Sequence, residues 1–148
     1  FKARLAGYKA ALKDNGILFD PALVFNGDVS IDAGRNAIQY FLQLPNPPDA
    51  AFAVEDFTAL GAIKELKLHH IAIPEDFGII GFANEAFGEH ITPSLSTIDQ
   101  QTVNMGREAF QLMLKLIEEK DHKKTSIVNK ILDPVPIFRS SSLRNKRI

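Results

Sequence analysis

Two neighbouring carboxylates, Glu55 and Asp56, are the residues of this sequence whose types and spacing come nearest to a catalytic pair. Two carboxyl groups can divide general-acid and general-base roles when both face one substrate. Adjacent residues at the end of a strand, however, point their side chains in opposite directions. We therefore interpret Asp56 as the cap of a following helix and Glu55 as a residue that lines a cleft.

The histidines His69, His70, His90 and His122 are the other candidates for metal or acid–base chemistry. Their spacing does not suggest ligands that converge with tetrahedral or octahedral geometry. His69 and His70 follow a stretch of helical spacing, and an imidazolium is favourable at the C-terminus of a helix. We predict no metal site and no cofactor.

Motifs for phosphate binding and for nucleophilic catalysis are missing. The sequence has no G-x-x-x-x-G-K-[ST] loop, no G-x-G-x-x-G loop and no G-x-S-x-G elbow. It also has no cysteine, which excludes a disulfide framework and a thiolate metal site. We predict that the chain is not an enzyme.

The composition of the 148 residues is that of an ordinary globular protein, with 45% hydrophobic and 24% charged residues. The net charge of −1 gives no sign of the basic excess typical of a nucleic-acid-binding module. No apolar run approaches the roughly 20 residues of a membrane span, and we predict a cytoplasmic protein without membrane contact. Because the first residue is Phe1, we expect the chain to start inside a longer polypeptide.

Basic residues cluster near the C-terminus, at Arg139, Arg144, Lys146 and Arg147. They suggest either contact with nucleic acid or a solvated chain end that frays. We favour the solvated end, because termini are the usual place for such segments.

Strand and helix patterns alternate along the chain. Continuous apolar runs predict strands at 23–25, 51–54, 77–82 and 95–98, and two late strands at 127–132 and 135–138. Helical spacing predicts helices near 5–12, after a cap at Ser30, from about Asp56, and over 103–117. This order predicts an α/β fold, a parallel sheet flanked by helices on both faces.

Polar segments follow the predicted strands, at 26–30, 55–56, 83–85 and 99–101. In open parallel sheets, ligands bind outside the carboxyl ends of the strands. We therefore predict a binding site where these four segments meet.

Five segments resemble, in order and spacing, the core of LacI/GalR-type transcription regulators. They are R-L-A-G-Y at 4–8, P-D-A-A-F-A-V-E-D with A-L-G-A at 48–62, I-P-E-D-F-G-I-I-G-F at 73–82, P-S-L-S-T-I-D-Q at 93–100, and M-G-R-E-A at 105–109. The resemblance covers nearly the whole chain. It implies a type I periplasmic-binding-protein-like architecture, in which a small-molecule effector binds in the cleft between two subdomains.

The resemblance also implies how the chain divides. Residues 1–98 correspond to the C-terminal effector-binding subdomain. Residues 99–124 correspond to a crossover helix of the N-terminal subdomain, most of which this chain lacks. Residues 125–148 correspond to returning strands and a C-terminal tail.

The family's effector-facing positions fall on Arg4, Asp28, Val29, Glu55, Asp56, Ala83, Asn84 and Gln100. The family usually has Asn in place of Glu55, Asp in place of Ala83, and often an aromatic residue in place of Val29. Arg4 is kept, and arginine binds acidic groups through two parallel hydrogen bonds. The resemblance thus implies a sugar, a sugar phosphate or another metabolite as effector, or, alternatively, an Arg4 that merely pairs with Glu55.

The family's dimer surface falls on Leu60, Ile63, His90 and Ile91. The resemblance implies a homodimer, with operator DNA bound through a headpiece that this chain lacks. A periplasmic solute-binding protein of a transporter has the same fold and is the alternative function. A helix-turn-helix ahead of the chain would indicate the regulator, and a secretion signal would indicate the transporter component.

The helix predicted over 103–117 carries an apolar stripe of Val103, Phe110, Met113, Leu114 and Ile117. Each such side chain contributes roughly 1.5–3 kcal/mol when it is fully buried. We therefore predict that this face leaves water. It can pack on its own subdomain, on a second copy, or on a part of a longer protein outside this chain.

Overall fold

The computed structural model describes residues 2–118 and 129–144. Its helices are α1 (Lys2–Asp14), α2 (Ile31–Leu42), α3 (Asp56–Leu68) and α4 (Thr102–Glu118), with short 3-10 turns at Pro21–Leu23 and Ala86–Glu89. Its strands are β1 (Ala50–Phe52), β2 (Gly78–Ile80), β3 (Thr97–Asp99) and β4 (Val135–Ile137). No helix among these residues is long and apolar enough to cross a membrane.

The strands join through a mixed set of pairings. β1 and β2 are parallel, with Ala51 opposite Ile79. A parallel bridge between Ile80 and Ser96 connects β2 to the segment that enters β3, and β4 pairs antiparallel with β3. The predicted α/β fold is confirmed, while the returning strand β4 runs against the direction of its neighbour.

Two predicted strands differ from the structure. The strand predicted at 23–25 is partly replaced by a 3-10 turn at Pro21–Leu23. Pro21 is the first residue of this turn, and the Asp20 side chain caps it by accepting a hydrogen bond from the backbone N–H of Ala22. Val24 is extended but belongs to no strand in the described part of the chain. The strand predicted at 127–132 starts outside the described residues, and its remaining part, 129–132, has no regular structure.

The cap predicted for α2 is confirmed, and a glycine follows the end of α1. Ser30 caps α2, since its hydroxyl accepts a hydrogen bond from the backbone N–H of Ala33 at 3.0 Å. Beyond α1, Gly16 adopts the left-handed conformation, with a φ of 68°, that suits glycine after a helix. Both signals depend only on residues within a few positions of the helix end.

The core lies between α2, α3 and the strands. It contains Ile38 and Phe41 of α2, Ile63 and Leu66 of α3, and Ile79 of β2. Ile63 is only 2% exposed. Its place in the predicted dimer surface is therefore corrected, because a side chain buried against α2 cannot also contact a second copy.

A polar cluster covers one edge of the α2–α3 contact. Glu65 of α3 accepts hydrogen bonds from Gln39 at 2.7 Å and from Arg35 at 3.0 Å. His69 lies one turn further along α3, with its Nε2 3.4 Å from the same carboxylate. Hydrogen bonds from Gln39 and Arg35 hold the pKa of Glu65 below its ordinary value.

We expect this cluster to make folding stability sensitive to acid. Because the pKa of Glu65 is lowered in the folded chain, its contribution is complete above the ordinary glutamate value of 4.5 and disappears as the pH falls below it. Glu65→Gln should therefore be less stable than the parent near neutral pH, and this difference should shrink in acid. Urea unfolding at about pH 7 and about pH 3 measures both. The exposed Glu75→Gln is the control, and an equal loss of stability at both pH values would contradict the expectation.

The apolar stripe of α4 is not covered by the chain itself. Val103 is 75% and Ile117 67% exposed, and Phe110, Met113 and Leu114 are also exposed. Glu108 of α4 forms an ion pair with Lys130 at 2.5 Å, which is a polar contact. Of the three partners predicted for this face, the chain's own subdomain is therefore excluded for the described residues.

Candidate functional site

Three polar segments that follow β1, β2 and β3 come together at one edge of the fold. The backbone N–H of Ala83 donates to the carbonyl of Ile98 at 3.0 Å, which joins the segment after β2 to β3. The backbone N–H of Glu85 donates to the Asp56 carboxylate at 2.8 Å, which joins the same segment to the end of β1. The predicted meeting of the strand ends is therefore confirmed for three of the four polar segments, those at 55–56, 83–85 and 99–101.

Asp56 lies beneath this edge rather than on it. Its side chain is fully buried and accepts hydrogen bonds from Thr97 Oγ1 at 2.7 Å and from the backbone N–H of Glu85. Gly81 lies against the carboxylate, where a Cβ would overlap Asp56 Oδ1. The prediction that Asp56 faces the effector is therefore wrong, because its buried carboxylate joins the segment after β2 to β3 through hydrogen bonds.

Glu55, and not Asp56, is the cap of α3. Its carboxylate accepts hydrogen bonds from the backbone N–H groups of Phe57 at 2.8 Å and Thr58 at 3.3 Å. The predicted cap at Asp56 is therefore wrong, since Glu55 caps α3 and Asp56 is buried. Their carboxylates hold different parts of the chain, so this geometry gives no support to a catalytic pair.

Arg4 of α1 lies flat on an aromatic ring beside the strand ends. Its guanidinium carbon is 3.6 Å from the centroid of the Phe82 ring, and its Nη1 donates to the carbonyl of Val54 at 2.5 Å. The Phe52 ring meets Phe82 edge-on, with 6.3 Å between centroids. This aromatic support was not predicted, although Phe82 is the last residue of the strand predicted at 77–82.

The segment after β2 makes an unusual turn. Ala83 and Asn84 both have positive φ angles, 137° and 59°. The Asn84 amide is engaged at both ends, since Oδ1 accepts from Arg139 at 3.0 Å and Nδ2 lies 3.4 Å from Asp99 Oδ2. These internal partners orient the Asn84 side chain, and its contact with an effector stays a prediction.

The other residues predicted to face the effector, Asp28, Val29 and Gln100, do not lie together at one place in the structure. Asp28 and Val29 are exposed ahead of α2, and Gln100 is partly buried beside the end of β3. Arg4 and Asp28 line a common cavity of about 390 Å³ between α1, α2 and β1. The structure thus brings Arg4, Glu55 and the turn at Ala83 to the strand ends, while Val29 does not line that cavity.

The cavity itself is mainly apolar and overlaps the strand-end site only at Arg4, Asp28 and Val54. Thr58 Oγ1 is buried at its wall with no hydrogen-bond partner among the described residues. We place the candidate site at the strand ends rather than in this cavity, because the charged and polar groups converge there.

The C-terminal basic residues are part of the fold as far as they are described. Arg139 is 12% exposed and bonds to three segments, and Arg144 donates to the carbonyl of Pro74 and pairs with Asp49. The predicted solvated end is therefore corrected for Arg139, while Arg144 is exposed as predicted but is held by these contacts. Lys146 and Arg147 lie outside the described residues, as does His122. No three potential ligands gather at a metal site within 2–118 and 129–144.

Comparison with known proteins gives the same relationship from the sequence and from the fold. The chain matches the periplasmic binding protein-like domain family over residues 1–142. It is 38% identical over 139 residues to the HTH-type transcriptional repressor CytR of Escherichia coli K12, a match that covers 94% of this chain and 40% of that protein. The chain therefore spans about two fifths of the length of this relative.

Solved structures show the same fold. A LacI-type transcriptional regulator from Bacillus cereus subsp. cytotoxis superposes with a TM-score of 0.88 at 26% identity, over 97% of this chain and 50% of that one. A LacI family regulator from Enterococcus faecium, solved with bound ribose, superposes with a TM-score of 0.86 at 28% identity, over 98% of this chain and 52% of that one. The chain belongs to the periplasmic binding protein-like domain family, and within it the chain is similar to LacI-type transcription regulators.

Proposed function

We propose that this chain is the effector-sensing and dimerising part of a cytoplasmic LacI-type transcriptional regulator. The convergence of polar segments at the ends of β1, β2 and β3, with Arg4 seated on Phe82 beside them, carries the proposal. In this proposal the effector contacts Arg4, Glu55 and the turn at Ala83. Asp28, Val29 and Gln100 contribute from the rim.

The effector that we propose is a small polar metabolite, a sugar or a sugar phosphate. A related regulator from Enterococcus faecium was solved with ribose, and another relative, CelR, with cellobiose. Arg4 supports an anionic group on the effector, because a guanidinium pairs well with carboxylate or phosphate. We assign Glu55 and Asp56 no catalytic role in this proposal, and the hydrogen bonds that their carboxylates accept from backbone N–H groups support this assignment.

Calorimetry on the natural full-length protein that contains this chain tests the proposal by measuring the binding of candidate effectors. The panel includes ribose, cellobiose, ribose 5-phosphate and glucose 6-phosphate, with an unrelated amino acid as control. We expect one sugar or sugar phosphate to bind and to change the protein's affinity for operator DNA. Binding that leaves DNA affinity unchanged, or the lack of binding by any sugar, would contradict the proposal.

We further propose that the intact protein divides as the family resemblance implies. Residues 1–98 would form the C-terminal subdomain, 99–124 a helix of the N-terminal subdomain, and 125–148 the returning strands and tail. The bare apolar face of α4 supports this division, as does the match of this chain to only 40% of CytR. In the intact protein this face would pack on strands outside the chain.

The dimer that we propose uses the outer face of α3 and the segment around His90 and Ile91. Leu60 is partly exposed and lies outside the core, and Phe57 is 44% exposed and packs on Phe87, with 4.9 Å between ring centroids. Lys67 of α3 donates to the carbonyl of Thr92, which joins the two parts of this surface. Closed two-fold homodimers are the most common assemblies of soluble proteins.

We expect Leu60→Glu to convert the dimer to a monomer, since it would place two carboxylates in an apolar contact about a two-fold axis. Sedimentation velocity at micromolar concentration measures the change. Leu18→Glu is the matched control, because Leu18 is fully exposed on the loop after α1 and has no place in this surface. A Leu60→Glu protein as dimeric as the Leu18→Glu protein would show that another surface is used.

A further inference from the structure

The side chain of Arg139 reaches three separate segments around the candidate site. It follows β4, it is only 12% exposed, and its Nη1 donates to the carbonyl of Leu95 at 2.8 Å. Its Nη2 donates to Asn84 Oδ1 at 3.0 Å and to Glu89 Oε1 at 2.6 Å. A planar fork of N–H donors suits such a set of acceptors, and a lysine ammonium does not.

The contact with Asn84 is the one that bears on the site. Asn84 has a left-handed backbone, and Ala83 before it has a positive φ that alanine rarely adopts. Such a turn persists only when its surroundings hold it in place. Asn84 is held through its own backbone N–H, which donates to Thr97 Oγ1 at 3.2 Å, and through both ends of its amide.

The same amide connects the turn to the chain that leaves β3. Asn84 Nδ2 faces Asp99 Oδ2, and Asp99 Oδ1 accepts from the backbone N–H of Gln101 at 2.7 Å. Gln101 has a φ of 55° and stands directly before α4. Arg139, by fixing which end of the amide faces it, also fixes which end faces Asp99.

The ion pair of Arg139 with Glu89 contributes less to this arrangement. The Glu89 side chain is 62% exposed, and ion pairs at exposed positions are screened by solvent. The bonds to Leu95 and Asn84 are partly buried, and hydrogen bonds from a charged donor are among the stronger ones in proteins. The bonds to Leu95 and Asn84 are thus the main contacts of the guanidinium, and of these the bond to Asn84 reaches the turn.

We propose that Arg139 is the positioning residue of the effector-side turn, because it orients Asn84 and so ties the turn at Ala83 and Asn84 to the start of α4. The inference rests on the proposed function for its statement that this turn faces an effector. Its structural content, which is that Arg139 holds the turn, is testable without any ligand.

Hydrogen exchange of the protein without ligand is the first test. In Arg139→Gln we expect the backbone N–H of Glu85 to exchange about tenfold faster, the size expected for losing a hydrogen bond from a charged donor. The N–H of Ala53, which donates to Ile80 in the β1–β2 contact, should change less than about twofold. Uniformly faster exchange at both sites would indicate a general loss of stability and overturn the proposal.

Arg144→Gln is the matched control. Arg144 is also a C-terminal arginine with carbonyl and carboxylate partners, but these are Pro74 and Asp49, away from the turn. Equal exchange of the Glu85 amide in Arg139→Gln and Arg144→Gln would overturn the proposal. If Arg139→Gln does not fold, the same comparison between Arg139→Lys and Arg144→Lys tests the proposal. Lysine keeps the positive charge but lacks the planar set of N–H donors of arginine.

A double variant tests the route through Asn84. Asn84→Gly keeps the left-handed backbone and removes the amide that Arg139 orients. Adding Arg139→Gln to Asn84→Gly should then change the exchange of the Glu85 amide by less than about twofold. An undiminished tenfold effect in that background would show that Arg139 acts by another route and overturn the proposal.

Ligand affinity is the separate test of the link to function. For whichever panel sugar or sugar phosphate binds the parent protein, Arg139→Gln should weaken binding about tenfold and Arg144→Gln should not. If no sugar binds, the proposed function fails, while the hydrogen-exchange result still decides whether Arg139 holds the turn. If binding is unchanged although the turn is looser, the positioning of an effector by Arg139 is refuted.

Discussion

Gly61→Ala should lower the free energy of unfolding by about 3 kcal/mol or more. Gly61 lies where α3 crosses the start of α2, and a Cβ there would overlap the carbonyl oxygen of Ile31 and stand 2.8 Å from its carbonyl carbon. The obstacle is backbone, which cannot rotate aside as a flexible side chain can. Gly34 makes the reciprocal approach, where a Cβ would stand 2.9 Å from the Ala62 nitrogen.

Two other helical glycines provide a control, because their substitution by alanine should change the free energy of unfolding in the opposite direction. A Cβ at Gly7 in α1 or at Gly106 in α4 would have no other atom within 4 Å. Alanine favours a helix over glycine by up to about 1 kcal/mol, so both substitutions should stabilise the chain or leave it unchanged. Urea unfolding of the variants measures the difference. A Gly61→Ala protein as stable as the Gly7→Ala protein would show that the two helices are further apart than described.

The helix ends and the strand-end site are the features that sequence predicts best. Ser30 caps α2 because the cap and the N–H groups it satisfies are neighbours in the chain. The meeting of segments after β1, β2 and β3 follows from the general behaviour of parallel strands. Both rules operate without knowledge of which distant residues come into contact.

The assignments that failed depend on distant partners. Asp56 is buried because Thr97, 41 positions away, and Glu85, 29 positions away, donate to it. Because these distant partners bind the Asp56 carboxylate inside the fold, Glu55 is the residue that caps α3. Arg139 looked like part of a solvated tail because its partner Asn84 is 55 positions away.

The apolar face of α4 shows a different limit. Its pattern correctly predicted an amphipathic helix, and α4 spans Thr102–Glu118. The sequence did not decide which surface would cover this face, because burial requires a partner surface and a pattern does not specify which one. The described residues of the chain leave the face exposed.

Arg4→Ala should abolish or greatly weaken effector binding, by about 10- to 100-fold, the range expected for a hydrogen bond from a charged group. Arg4 reaches the site from α1, and its contacts with Phe82 and the Val54 carbonyl hold the guanidinium beside the strand ends. If the effector is anionic, as we propose, the loss should be larger for a sugar phosphate than for the corresponding neutral sugar. Calorimetry with ribose and ribose 5-phosphate compares the two.

Lys9→Ala separates this binding role from a loss of stability. Lys9 lies on the same helix, and its ammonium also sits over an aromatic ring, 4.3 Å from the centroid of Phe19. Each substitution removes a cation–π contact of about 0.5–1 kcal/mol, and Arg4→Ala also removes the hydrogen bond to the Val54 carbonyl. Urea unfolding of both variants measures how much of any loss of affinity comes from a loss of stability. Lys9 does not line the cavity that Arg4 lines beside the strand ends, so Lys9→Ala should leave effector affinity unchanged. Equal affinities for Arg4→Ala and Lys9→Ala would mean that Arg4 supports the aromatic ring and does not touch the effector. In that case no cationic side chain would contact the effector, and the Glu55 carboxylate and the turn at Ala83 would have to recognise a neutral ligand.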